Sequence, residues 1–178
     1  AGHTSGAGGI ITINASRIYV GVNSEISASS DYVTDTTNGH MGSNAGTINL
    51  NATLVNITGA INARGGTGNS NSCGSNFGLR GDGGSIKITS IDAEVSKLDA
   101  SRGSIGRCDN GNGGNVLINV SDVLLITNNI AVGNGTSNIT LIAKELYVNG
   151  TLNATNGTIG QTYTNRNGTI KLFYNVTI

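Results

Sequence analysis

The sequence has no proline, two cysteines and one methionine, and aromatic residues make up only 4 % of it. A core built from such a chain has to be aliphatic, drawn from Ile, Leu, Val and Ala. Charge is equally scarce. Charged residues are 11 % of the chain, less than half the usual share, and ten basic residues cancel ten acidic ones. No basic excess argues for nucleic acid or an anionic membrane as partner. No apolar run approaches the roughly 18 residues of a membrane helix, so membrane insertion is not expected. The opening AGHTSGAGG has neither an initiator Met nor a charged and apolar leader, which fits a chain whose leader has been cleaved, or a fragment. Two cysteines without nearby histidines supply too few ligands for a zinc site.

Polarity comes instead from Asn, Ser, Thr and 28 glycines. Low hydrophobicity with high net charge would mark disorder, but 37 % of this chain is hydrophobic and its net charge is zero. Aliphatic and polar residues alternate strictly over short runs that break at Gly or Asn. That period of two predicts strands.

Aligning the runs gives one domain, 1–178, with a leading segment 1–9 and coils that begin near 10, 47, 85, 115, 138 and 169. Each full coil has three short segments with an inward pair in each. The first coil has Ile11 and Ile13, Ile18 and Val20, Ile26 and Ala28. The second has Ile48 and Leu50, Val55 and Ile57, Ile61 and Ala63; the third has Ile86 and Ile88, Ala93 and Val95, Leu98 and Ala100. The fourth is read with Val116 and Ile118, Val123 and Leu125, Ile130 and Val132, and the fifth with Ile139 and Leu141, Leu146 and Val148, Leu152 and Ala154. A sixth begins with Ile170 and Leu172, continues through Val176 and Ile178, and lacks its third segment.

The connection after the third segment carries the length variation, at 29–45, 65–84, 102–114 and 155–168, and is shortest at Gly133–Ser137. Insertions confined to one point of a repeat map to one edge of a stacked array. The expected fold is all-β: a parallel β-helix (β-solenoid) of about five full three-strand coils plus an incomplete sixth, with long loops at one corner. An antiparallel sandwich also uses short alternating strands, but would not repeat the same inward pair at the same offset.

The coil openings GGIITINAS, GTINLNAT, GGSIKITS and GGNVLINVS resemble those of Gly- and Asn-rich right-handed parallel β-helix proteins of cell surfaces, of the adhesin and filamentous-haemagglutinin-like kind. The resemblance covers nearly the whole chain. It implies surface display and carries over no catalytic residue.

Asn-x-Ser/Thr triplets stand at Asn14, Asn51, Asn56, Asn119, Asn134, Asn138, Asn149, Asn153, Asn156, Asn167 and Asn175. That is about twice the chance number for this composition. Asn and Thr also suit bends and outer faces of such a fold, which explains the composition better than the ordered triplet. Asn14, Asn51 and Asn119 share one outward position after the first strand, while Asn134, Asn149, Asn156 and Asn167 precede Gly in turns. Covalent N-glycans are therefore expected, on an extracellular protein of an archaeal or eukaryotic cell. Cys73 and Cys108 fall in the loops after the second and third coils, which predicts a disulfide between adjacent loops.

Catalysis on polysaccharides would need carboxylates converging on one face. Only Asp92 and Asp122 nearly stack, at a bend where solvation explains them, and His3 and His40 have no readable partner. No enzyme, metal or cofactor is expected. The pieces GDGG and CDNGNGG resemble calcium repeats but lack their nine-residue period. Arg80-Gly81-Asp82 matches an integrin-type tripeptide by letter alone. Both ends of the array lack Pro, charge clusters or a capping helix, the usual blunting devices. Ile11 and Ile13 at one end and Ile170, Leu172, Val176 and Ile178 at the other are then expected to meet in a head-to-tail homopolymer, an extracellular filament or surface layer. The alternatives are a β-helix segment of a larger adhesin and, behind it, a polysaccharide-acting enzyme.

Overall fold

The computed structural model describes residues 6–30, 42–67, 80–103, 111–133, 136–154, 158–161 and 169–172, the last two as strand backbone. The strands are β1 (Ile10–Val20), β2 (Glu25–Ser27), β3 (Thr47–Asn62), β4 (Ser85–Ser90), β5 (Asp92–Asp99), β6 (Asn115–Val120), β7 (Val123–Ile126), β8 (Ile130–Ala131), β9 (Asn138–Ile142), β10 (Glu145–Val148), β11 (Leu152–Asn153), β12 (Thr158–Gln161) and β13 (Thr169–Leu172). They form one curled sheet, and no helix occurs among the described residues. Each strand pairs in parallel with strands of the neighbouring repeats. Parallel neighbours need a long return connection, and here the remainder of each repeat provides it. The antiparallel alternative is thereby excluded.

Alternation along each strand becomes vertical columns across the sheet. Ile11, Ile48, Ile86, Val116, Ile139 and Ile159 are Cα partners in succession. So are Ile18, Val55, Ala93, Leu124, Leu146 and Ile170. A third column runs Ile26, Ile61, Leu98, Ile130 and Leu152. From the second repeat to the fifth these side chains are buried, with Ile48, Ile86, Ile130 and Ile139 at 0 % exposure. Each buried aliphatic side chain contributes roughly 1.5–3 kcal/mol. The described core contains no aromatic residue, as the composition requires.

Glycine closes the corner ahead of β3, β4 and β6, and Ser137 takes that place ahead of β9. Gly46, Gly84 and Gly114 follow one another there: Ser85 N–H donates to Gly46 O at 3.0 Å and Asn115 N–H to Gly84 O at 2.9 Å. A Cβ on Gly84 would collide with Gly46 O, and one on Gly114 with Gly84 O. At Gly84 and Gly114 only a residue without a side chain fits against the preceding backbone.

Beside the glycines runs a side-chain ladder that the sequence reading missed. Asn44 Oδ1 accepts the Asp82 N–H at 2.9 Å, Asp82 Oδ1 accepts the Asn112 N–H at 2.7 Å, and Asn112 Oδ1 accepts the Thr136 N–H at 3.5 Å. Each rung satisfies a backbone donor that the strand ladder leaves over where the loops return to the sheet.

Two sequence expectations are corrected. In the fourth repeat Leu124 and Ile126 are buried, and the expected pair Val123 and Leu125 is only half-buried. The bend there spends three residues, Ser121 to Val123, where the third repeat spends two, Ile91 and Asp92, before the buried Ala93. Four successive aliphatic residues in Val123–Ile126 hid that extra residue. At the far end, the first segment of the sixth repeat is β12, paired with β9, and Thr169–Leu172 is its second, paired with β10. The sequence had put the first segment near 169. Thr158–Gln161 was missed because Ile159 is its only aliphatic residue.

Candidate functional site

Two surfaces follow from this architecture: the open side of the first repeat, and a groove over the first bend.

On the open side, β1 and β2 pair with β3 alone among the described strands. Their columns are the same as those buried elsewhere, yet Ile11, Ile13 and Ile26 are only half-buried. Ile10 is 78 % exposed, with Tyr19 at 71 % and Val22 at 70 % nearby in sequence. Ile48, one repeat along from Ile11, has no exposure at all. An aliphatic row beside an unpaired strand edge is a template for another parallel strand. At the other end, β12 and β13 carry Ile159, Ile170 and Leu172 in the same registers. Val176 and Ile178 lie outside the described residues.

The groove, about 520 Å³, runs across four repeats at the bend between first and second segments. Its walls are Asn14, Asn51, Thr89 and Asn119, which are Cα partners in succession. Ala15, Ala52 and Ser90 line it beneath, with Thr53, Ile91 and Ser121 beyond. No lining residue is charged. Residues at this bend are small, Ala143 among them, with Val120 the exception. Val120 is nonetheless buried, at 1 %. Ser90 Oγ is buried with no hydrogen-bond partner among the described residues.

The sequon asparagines divide by exposure. Asn14, Asn51, Asn119, Asn138, Asn149 and Asn153 are exposed. Asn138 Nδ2, the atom a glycan would take, donates to Asn115 Oδ1 at 3.0 Å. Asn56 is half-buried, and its Oδ1 is shut away without a hydrogen-bond partner. Asn134, Asn156, Asn167 and Asn175 lie outside the described residues, as do Cys73 and Cys108, His3 and His40.

Among the described residues, the two carboxylates that nearly stack have separate partners. Asp92 Oδ1 accepts the Val123 N–H at 3.2 Å, and Asp122 Oδ1 pairs with Lys144 Nζ at 2.9 Å. That hydrogen bond, together with the charge of Asp122, raises the Lys144 pKa above the usual lysine value. Glu145 Oε2 accepts the Tyr147 hydroxyl at 2.9 Å, which raises the phenol's pKa. No group of three His, Cys, Asp or Glu side chains suited to a metal ion occurs among the described residues. The Asp82 carboxylate of the Arg80-Gly81-Asp82 tripeptide belongs to the ladder, and Gly81 is buried with its N–H on Gly66 O at 2.9 Å. Also among the described residues, no helix is long and apolar enough to cross a membrane.

No protein-family model, curated protein or solved structure matches this chain.

Proposed function

We propose that this protein is a structural subunit of an extracellular filament or surface layer, a β-solenoid of five three-strand coils and a partial sixth that assembles head-to-tail. The observation that carries this reading is the open side of the first repeat. There the columns Ile11, Ile13 and Ile26 continue to the surface, and β1 and β2 have no second strand partner among the described residues. Strand addition at such an edge joins one subunit's end to the opposite end of the next, a heterologous contact that does not close and so gives fibres. Covering each half-exposed isoleucine is worth roughly 1 kcal/mol. The added strand ladder has to supply the rest against the entropy of association.

Two further elements belong to the same reading. N-glycans on the outer faces would block sideways sheet association and leave the axial route open. A Cys73–Cys108 disulfide would tie neighbouring loops in an oxidising compartment; alkylation of both thiols without reductant would exclude it.

The test is assembly itself. Negative-stain microscopy and sedimentation should find filaments for the parent protein. Ile11→Asp with Ile13→Asp, and separately removal of residues 170–178, should give short or monomeric protein with an unchanged β circular-dichroism spectrum. A parent that stays monomeric at high concentration, or variants that polymerise as it does, would end the proposal.

A further inference from the structure

The groove over the first bend is built mainly of glycosylation triplets. Asn14 and Ala15, Asn51 to Thr53, and Asn119 and Ser121 all belong to Asn-x-Ser/Thr sequences, and they supply most of its lining. One triplet interrupts the stack: Thr89, Ser90 and Ile91 occupy the same register between Asn51 and Asn119, with no asparagine to modify. Neighbouring parallel strands are about 4.8 Å apart, too close for two pyranose rings to lie side by side on adjacent strands. The interrupting triplet leaves an unmodified strand beside Asn51 and beside Asn119 alike.

What that strand offers suits a sugar. A pyranose ring has an apolar C–H face and a rim of neutral hydroxyls, so it seats best on an apolar side chain flanked by neutral hydrogen-bonding groups. Ile91 is an aliphatic side chain 49 % exposed at a bend, and the polar side chains that line the groove with it carry hydroxyls or amides without charge: Thr53, Thr89, Ser121 and the asparagines. A solvated bend has no evident use for an isoleucine that the column does not bury.

We propose that this groove is the bed of the chain's own N-linked glycans. The first sugar residues on Asn51 and Asn119 meet over Thr89–Ile91 and cover the Ile91 side chain. Attachment is the ordinary transfer: the asparagine Nδ2 bonds to the anomeric carbon of a lipid-phosphate-linked oligosaccharide, loses a proton, and the lipid phosphate leaves. A cellular transferase carries it out. The proposal rests on the glycoprotein reading above and is independent of head-to-tail assembly. It makes these two glycans ordered parts of the wall, unlike one on Asn149, which is exposed outside the groove.

The experiment uses the full chain from its source cell or a glycosylating host, with site-resolved glycopeptide mass spectrometry after timed glycosidase treatment of the folded protein. Release at Asn51 and Asn119 should be at least several-fold slower than at Asn149, and Ile91→Ser should remove most of that difference. An independent reading on the unmutated protein is the nuclear Overhauser effect between Ile91 methyls and protons of the first sugar, which keeps the test decisive if the variant folds poorly. Bare Asn51 and Asn119 beside occupied sequons elsewhere would overturn the groove proposal alone. A chain with no glycan anywhere would overturn the glycoprotein reading as well. Equal release at all three sites, or no Ile91–sugar contact, would overturn the groove proposal with glycosylation intact.

Discussion

Asp82 stands between Asn44 and Asn112 as both donor and acceptor: its N–H is bound by Asn44 Oδ1 at 2.9 Å, and its carboxylate binds the Asn112 N–H at 2.7 Å. The second bond is charge-assisted and serves a backbone donor at the point where the long loops rejoin the sheet. Truncating Asp82 to Ala removes that acceptor, and because the bond is exposed the cost is about 0.5–1.5 kcal/mol. Asp82→Asn retains an acceptor oxygen and should recover most of the loss. Urea unfolding of the two variants against the parent measures it. Equal stability of Asp82→Ala and the parent would mean that the ladder is incidental.

Glycine at the corner is a steric requirement that two alanine substitutions separate. Gly114→Ala drives a Cβ into Gly84 O and should destabilise by about 3 kcal/mol. Gly9→Ala meets nothing within 4 Å and should stay within about 0.5 kcal/mol of the parent. Thermal melts of both variants give the comparison. Similar melting shifts would contradict the close stacking of Gly84 and Gly114.

Ser90 carries the opposite expectation. Its hydroxyl is buried with no partner among the described residues, directly beside Val120 in register. Ser90→Ala removes a desolvated polar atom at little loss of volume and should be neutral or stabilising by up to about 1 kcal/mol. A clear loss of stability would reveal a hydrogen bond to Oγ, for example from a buried water.

The Lys144–Asp122 pair is exposed on both sides, at 51 % and 44 % of the side chains. Exposed pairs of this kind stabilise little and are screened by salt. The sign of its pH dependence is nonetheless fixed. The folded-state Lys144 pKa lies above the unfolded value, so whatever the pair contributes is fully present below the unfolded lysine pKa and fades as pH rises through the folded one. Lys144→Met should therefore leave neutral-pH stability essentially unchanged and slightly flatten the alkaline limb of the stability curve. A large loss at neutral pH would show that the pair matters more than its exposure implies.

Much of the sheet was legible because Ile, Leu and Val alternate with polar residues at the same offset in each repeat, and burial follows that alternation from Ile48 to Leu152. The reading failed where the pattern lost contrast. Val123–Ile126 is aliphatic at every position, so periodicity could not choose a face, and the three-residue bend at Ser121–Val123 chose it instead. Thr158–Gln161 carries one aliphatic residue and gave almost no signal. The ladder through Asn44, Asp82 and Asn112 had a visible mark, an Asn or Asp three residues ahead of β3, β4 and β6. Its meaning depends on which backbone donors the strand pairing leaves over. The groove was half visible: the shared register of Asn14, Asn51 and Asn119 could be read, whereas the exposure of Ile91 depends on how tightly the bend turns.

Because each repeat touches chiefly the one before and the one after, the gene can lengthen or shorten this protein in whole steps more safely than in single codons. In-frame loss of Asn115–Ser137 would bring Asn138 directly after Gly114, set Ile139 over Ile86, Leu146 over Ala93 and Leu152 over Leu98, and leave the pairings within the flanking repeats as they were. Loss of one codon within Ile48–Leu50 would turn the rest of that strand inside out. Circular dichroism and melting of the two deletions should rank the 23-residue loss (115–137) as the milder. Selection acting on such a gene would find its neutral steps at the scale of the repeat, so length variation among descendants would come in multiples of a turn.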